Sequence, residues 1–314
     1  MKKYIAKRLW SLVPVMFVVA TLVFFLVHLT PGDPAAVILG PDAPQEAIAE
    51  LRVRLGLDKP LPVQFVRWFG QVLQGNLGES IFLRRPVVQA IVERLEPTLL
   101  LAGMATVFAV VIGIPTGVLA AVYRNTWLDR LFMSISVFGV SMPNFWLALN
   151  LIFLFALTLA ILPVSGYVPL RDDPLMTLRF LLLPAFSLGF PQSALIARMT
   201  RGSMLDVLSQ DYVKTARAKG LSEQLVIYKH ALKNTMITVI TVIGIVLAIT
   251  LSGSVVIETI FGLPGIGRLI INSVLRRDYP VIQGTVLCIA ASYVLVNLLI
   301  DLLYVYLDPR IKYQ

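Results

Sequence analysis

Asp211-Tyr-Val-Lys-Thr-Ala-Arg-Ala-Lys-Gly-Leu-Ser-Glu-Gln-Leu-Val-Ile-Tyr-Lys-His-Ala-Leu-Lys233 is a polar, basic island between two strongly apolar stretches. A segment this rich in charge does not sit in hydrocarbon, where ionised and unpaired polar groups are costly. It lies in water, and the apolar segments on either side lie in a membrane. Its small residues, Thr215, Ala216, Ala218 and Gly220, suit a short helix that settles closely against another protein. Lys214, Arg217 and Lys219 supply charge for acidic groups on that protein or for anionic lipid headgroups. The blander alternative is a solvated basic loop that only sets topology.

Composition places the whole chain in a membrane. Hydrophobic residues make up 57% of the 314 residues and charged residues only 14%, against about 25% charge in soluble domains. The net charge of +9 fits basic cytoplasmic loops better than nucleic-acid binding. The single cysteine, Cys288, cannot form a disulfide within the chain and fits any compartment.

Stretches free of Asp, Glu, Lys and Arg locate the crossings: Leu9–Leu29, Pro97–Tyr123, Leu131–Leu170, Phe180–Ala197, Asn234–Ile257 and Tyr279–Ile300. Each reaches the roughly 17–25 mainly apolar residues a helix needs to span hydrocarbon. Leu131–Leu170 could hold a hairpin, but Pro163 and Gly166 near its end favour one long helix, kinked at Pro143, followed by a loop. The expected fold is an all-α integral membrane protein with six transmembrane helices. A structured external loop lies between helices 1 and 2, and a cytoplasmic coupling helix between helices 4 and 5. The expected limits are 9–29, about 98–123, 131–161, 180–199, 235–257 and 281–305. Residues 1–8 form the cytoplasmic N-terminus, 30–96 the external cap, 200–234 the docking loop and 258–280 an external loop, with 97–314 as the transmembrane core.

The positive-inside rule orients the chain. Lys2, Lys3, Lys7 and Arg8 hold the N-terminus in the cytoplasm. Six crossings also leave inside Arg124, Arg130, Arg201, Lys214, Arg217, Lys219, Lys229, Lys233, Arg310 and Lys312. A seventh would export the 200–233 loop and the tail, against the charge bias. The first apolar stretch is too long for a signal peptide and has no small-x-small cleavage site after it. Within 30–96, Pro44 can open a helix running to Leu55 with Gly56 as its stop. Pro62–Leu73 reads as a second helix with Trp68 and Phe69 on its apolar face, and Pro86–Arg94 as a third. The segment reads as a small cap or a surface for an external partner.

Reactive constellations are absent from the sequence. No phosphate-binding Gly-x-x-x-x-Gly-Lys-Ser/Thr occurs, and Gly262-Leu-Pro-Gly-Ile-Gly267 lacks the lysine and reads as turns at a membrane surface. His28 and His230 fall on opposite sides of the membrane, so no zinc cluster forms. No nucleophile elbow, zincin helix or pair of intramembrane carboxylates appears. The chain reads as no enzyme, with no catalytic residue, no metal ligand and no bound cofactor.

Several motifs in order resemble one family. They are Thr30-Pro-Gly-Asp-Pro34, Leu55-Gly-Leu-Asp-Lys-Pro60, Ser141-Met-Pro-Asn-Phe-Trp146, Arg198-Met-Thr-Arg201, Asp211-Tyr212 through Ala216-Arg-Ala-Lys-Gly-Leu221, Glu258-Thr-Ile-Phe261, Pro264-Gly-Ile-Gly-Arg268, Arg277-Asp-Tyr-Pro280 and Asp308-Pro-Arg310. Together they resemble the first permease subunit of dipeptide and oligopeptide ABC importers, a group that includes glutathione and nickel importers. The Glu-Ala-Ala core of the general permease loop aligns with Lys214, Thr215 and Ala216, and the Lys-Thr-Ala form is usual in this subgroup. Lys233 stands where the general pattern has proline.

That resemblance implies half of a heteromeric pore in a bacterial cytoplasmic membrane, both termini inside. It implies a second homologous permease, two cytoplasmic ATPases that use ATP and magnesium, an extracytoplasmic binding protein, and no nucleic acid. Lys214, Thr215, Ala216, Arg217, Ala218, Lys219, Gly220 and Leu221 would couple to the ATPases. Asn144, Ser252, Gly253 and Ser254 would line the translocation path, although such small and hydroxyl residues equally serve helix packing. Asn297 and Asp301, four apart, share a helix face, with Arg198 or Arg201 as expected partners for Asp301. A secondary carrier would need an inverted repeat and buried ionisable groups, and neither is evident in the sequence.

Overall fold

A computed structural model describes residues 2–29, 34–40, 43–54 and 56–307, and these are helical apart from turns and one isolated antiparallel bridge, Glu79 to Pro86. The Thr30–Asp33 part of the first motif, the Asp308–Arg310 tail and the side chain of Asp301 lie outside the described residues. In chain order the helices are α1 (Lys2–Leu29), α2 (Pro34–Leu39), α3 (Gln45–Arg54), α4 (Leu61–Leu73), α5 (Val87–Val122), α6 (Trp127–Ser141), α7 (Asn144–Leu151), α8 (Pro174–Leu208), α9 (Asp211–Ala218), α10 (Glu223–Leu225), α11 (Lys233–Ile260), α12 (Ile266–Leu275) and α13 (Tyr279–Leu307). Wider π-helical turns extend α7 over Ile152–Thr158 and join α10 to α11 over Val226–Leu232.

Helices overrun the uncharged windows at eight of their twelve ends. A charge ends the hydrocarbon, not the helix, because Glu, Lys and Arg are good helix formers. So Pro86–Arg94 is not a separate helix but the first turns of α5, which runs on through Pro97 and Pro115. Likewise the 258–280 segment contains α12, where turns alone were expected. Of its glycines only Gly262 has positive φ, +65°; Gly265 is the extended N-cap of α12.

The chain divides into two compact units, Met1–Glu96 with Pro264–Val294 and Pro97–Leu263 with Leu295–Gln314. In the first, α4 packs on α1 through an aromatic cluster. Phe65 lies 5.3 Å from Phe24 and 6.2 Å from Phe17, Phe69 lies 5.5 Å from Phe17, and Trp68 lies 5.5 Å from Phe24, all between ring centroids. A second core gathers Val87, Ile91, Ile266, Leu269 and Val281. Buried Asp278 ties down the turn before α5: the Ser80 hydroxyl donates to it, as do the Ile81 and Phe82 amides at 3.3 and 3.4 Å. One carboxylate thus satisfies three donors that the turn itself leaves open.

In the second unit α8 packs against α6, α7 and α11. Leu181, Leu188, Ile257, Phe261 and Leu263 fill its core. Close to that core, the Thr98 hydroxyl donates to the buried carboxylate of Glu258 at 2.7 Å. Helices α5 and α8 approach backbone to backbone. A Cβ at Gly113 would stand 2.6 Å from the Ser193 carbonyl oxygen, one at Gly117 2.5 Å from that of Ala197, and one at Gly189 would run into that of Ala105. Gly113-x-x-x-Gly117 is the small-residue spacing of close membrane-helix packing. Where a simple kink was expected at Pro143, α6 and the α7 extension bend by 100°. Proline 143 cannot donate to the preceding turn and holds Met142 extended, at ψ 125°.

By length and apolarity four helices suffice to cross a membrane among the described residues, Val87–Val122, Pro174–Leu208, Glu223–Ile260 and Tyr279–Ile300, or five with the bent pair. A shorter apolar stretch, Leu12–Phe25, lies within α1.

Candidate functional site

The basic island folds as a helix and a return turn. Ser209 and Gln210 interrupt α8, and Gln210 turns extended, at ψ 148°, before α9. Asp211 in the first turn and Arg217 in the last complement the helix dipole. Gly220, at φ +78°, ends the turn in the left-handed region that L side chains rarely adopt. The Ala216 carbonyl accepts the Leu221 amide at 3.4 Å across it. Arg217 then donates twice to Glu223, at 2.6 and 3.1 Å, which fastens α9 to the outgoing helix. The Glu223 carboxylate holds the exposed Arg217 guanidinium above its usual pKa.

The eight residues expected to dock divide by face. Ala216 turns inward beside Val213 against Val226, and Leu221 packs on the same cluster. Lys214, Thr215, Arg217, Ala218, Lys219 and Gly220 face out. Lys214 already donates to Asp211 at 2.8 Å. Exposed pairs of this kind are worth at most about 1 kcal/mol, so both cations can exchange partners readily. Beside α9 an open polar recess of about 500 Å³ is lined by Asp206, Val207, Gln210, Tyr212 and Asn234. The Asn234 amide donates to the Tyr212 hydroxyl at 2.7 Å on its rim.

The inward face of α9 is continuous with the helices above it. Val207 and Leu208 at the end of α8 touch Val213 and Ala216 and also the cluster of Val118, Ala121, Met204, Ile227 and Ala231. The loop is therefore seated on the end of α8 and on the π-helical turns Val226–Leu232, which pack in turn on α5 through Val118 and Ala121, rather than hanging free of them.

The structure also assigns Arg201. Its Nε and one terminal nitrogen each donate to Asp129 at 2.7 Å, a bidentate pair. Asp129 is buried and accepts the Asn125 amide at 2.9 Å as well. The expected partners for Asp301 were Arg198 or Arg201; the Asp301 side chain is outside the described residues. Sequence reading passed over Asp129 because it lies near Arg124 and Arg130, where an acid looks like ordinary loop chemistry. Its place in the first turn of a helix was the available signal.

Of the expected translocation residues, Asn144 opens α7 directly after the bend and is partly exposed. Ser252 is exposed, Gly253 lies 3.5 Å (as a built Cβ) from Leu188, and Ser254 is buried. Ser252 and Ser254 thus face opposite sides of α11, and the hydroxyls return to Ala248 and Leu251. Helices α7 and α11 pack together. Asn297 lies on α13, partly buried. No cluster of three metal-binding side chains occurs among the described residues.

Comparison with known proteins adds sequence and fold relatives. Residues 113–313 match the family described as binding-protein-dependent transport system inner membrane component, and residues 1–102 match its N-terminal companion family. The chain is 47% identical, over the whole length of both, to a putative peptide transport system permease protein of Brucella abortus. It is 46% identical, again over both whole lengths, to the glutathione transport system permease protein GsiC of Salmonella paratyphi A. Among solved structures, a chain of the inward-facing MetNI methionine ABC transporter superposes with a TM-score of 0.58 at 20% identity, covering 69% of this chain and 95% of that one. At that identity the likeness speaks for the fold alone.

Proposed function

The chain belongs to the family of binding-protein-dependent transport system inner membrane components, and from that premise we propose that it is one of two permease subunits of an ATP-driven peptide importer. The observation that carries the reading is identity of 47% along the entire chain to a peptide transport system permease. In this reading a second, homologous permease completes the pore. Two cytoplasmic ATPases dock on the outward face of α9, and an extracytoplasmic binding protein delivers the substrate. Asn144 and Ser252 line the path between the subunits. Glutathione, itself a tripeptide, is the second reading, favoured by the 46% identity to GsiC.

The test is uptake by cells that carry the complete transport system, with and without this gene. Loss of labelled dipeptide or longer-peptide uptake is expected; loss of glutathione uptake alone selects the second reading. Unchanged uptake of all three, with a defect confined to nickel, overturns both.

Six crossings follow if α1, α5, the bent α6–α7 pair, α8, the Glu223–Ile260 helix and α13 each traverse the membrane. A re-entrant α6–α7 would reverse everything after it and place the basic loop at α9 outside, against the positive-inside rule. A cysteine at Asn76, in a chain freed of Cys288, is therefore expected to react with an impermeant reagent in intact cells, and one at Ser222 only after lysis. Labelling at Ser222 in intact cells overturns this topology.

A further inference from the structure

The most informative surface outside the docking loop is α4, whose sides differ in chemistry. Phe65, Trp68 and Phe69 contact α1. Gln64, Arg67 and Gln71 share a second side, spaced as helix neighbours are. On it the Gln64 amide donates to the Lys59 and Leu57 carbonyls at 2.8 and 3.3 Å. The third side carries Val63, Val66 and Leu73, which are 42%, 69% and 73% exposed. A helix surrounded by water does not turn such a side outward without reason.

The contacts on α1 fix its depth. Phe24 and Phe17 stand five and twelve residues before Leu29, the end of the apolar stretch. At 1.5 Å per residue that is about 8 and 18 Å inside it. The stretch Leu9–Leu29 itself is about as long as a bilayer's hydrocarbon is thick. A helix whose rings rest on those two phenylalanines reaches below the outer boundary of the hydrocarbon.

We propose that α4 lies in the outer leaflet alongside α1, with Val63, Val66 and Leu73 in contact with lipid acyl chains and the Gln64–Arg67–Gln71 side turned to the headgroups. This arrangement is that of an interfacial amphipathic helix. Arg67 fits it, because a long cationic side chain reaches the interface from a buried stem; its guanidinium lies 3.8 Å from a Cβ built on Gly56. The segment between α1 and α5 is in this respect a membrane-seated element, not a cap in water. The inference rests on α1 being a crossing helix with its Leu29 end outward.

The test uses the complete transporter in lipid vesicles, with Cys288→Ala and one nitroxide-labelled cysteine at Val66, Leu73 or Asn76. The expected result at Val66 and Leu73 is relaxation by oxygen, which concentrates in lipid, and loss of relaxation by a water-soluble nickel chelate. Asn76 is expected to show the reverse. Nickel access at Val66 and Leu73 equal to that at Asn76 overturns the proposal in favour of a water-exposed cap. Exclusion of both agents overturns it in favour of a protein partner on this face. Failure of the premise reads differently: impermeant reagent would then reach Asn76 only from the cytoplasmic side, whatever the relaxation at Val66.

Discussion

Gly220→Leu is expected to lower substrate uptake by about tenfold or more while leaving the protein inserted in the membrane. Two costs act together. At φ +78° a leucine carries left-handed strain of about 1–2 kcal/mol, and about 1.4 kcal/mol is already a factor of ten in an equilibrium. The second cost is the side chain itself on the outward face of α9, where the ATPase is proposed to dock. Within this chain nothing lies within 4 Å of a Cβ at Gly220, so any collision comes from a partner. Gly220→Asn separates the two, because asparagine tolerates positive φ but still adds bulk. Co-purification of the ATPases, substrate-stimulated hydrolysis and uptake are the measurements. If asparagine restores what leucine removes, backbone strain explains the effect. If both variants assemble and transport as wild type does, the loop is not the coupling element.

Arg201→Met is expected to cost about 2 kcal/mol, below the full range for a buried pair because Arg201 is only part-buried, and Asp129→Asn to cost less. Removing one partner of a buried pair strands the other's charge, typically for about 3–5 kcal/mol. The stranded groups differ here. Asp129 keeps 6% of its side chain exposed and Arg201 26%. An orphaned Arg201 can turn toward water, whereas an orphaned Asp129 keeps the Asn125 amide and little else. The double variant Asp129→Leu with Arg201→Met is expected to recover much of the loss, since apolar replacement removes the charge on both sides. Thermal unfolding of the detergent-solubilised protein ranks the three. A double variant no more stable than Arg201→Met would show that the site needs the pair itself.

The long apolar helices and the turn after α9 were legible because each rests on a local pattern: uncharged runs for four of the helices, or five with the bent pair, and a polar island with Gly220 for the turn. The helical membrane class needed nothing more, whereas the family reading rested on motifs spread in order along the chain. Helix ends were less legible, as α5 shows, because Glu93, Arg94 and Glu96 mark the edge of hydrocarbon without disturbing helical hydrogen bonds. The facing of side chains was not legible at all where it depends on distant partners. Ala216 looked like one more small docking residue until Val226 was seen behind it. Asp129 and Arg201 are 72 residues apart, and no spacing rule joins them. The aromatic face of α4 was read correctly, but its seat on Phe17 and Phe24 requires the folded chain.

The glycine seam between α5 and α8 has a thermodynamic meaning. A helix interface made of long side chains forms only by freezing their rotamers, at up to about 2 kcal/mol for each of the longest. Gly113, Gly117 and Gly189 have no rotamers to surrender, and the carbonyl groups they meet are already fixed by their own helices. The side chains that do meet the seam, Ile196 against Gly113 and Thr200 against Gly117, are β-branched and stiff in a helix, so the seam is entropically inexpensive to close. When the transporter changes shape, α5 and α8 have reason to move as one stiff body, and the compliance must reside in joints of another kind, such as the bend at Pro143.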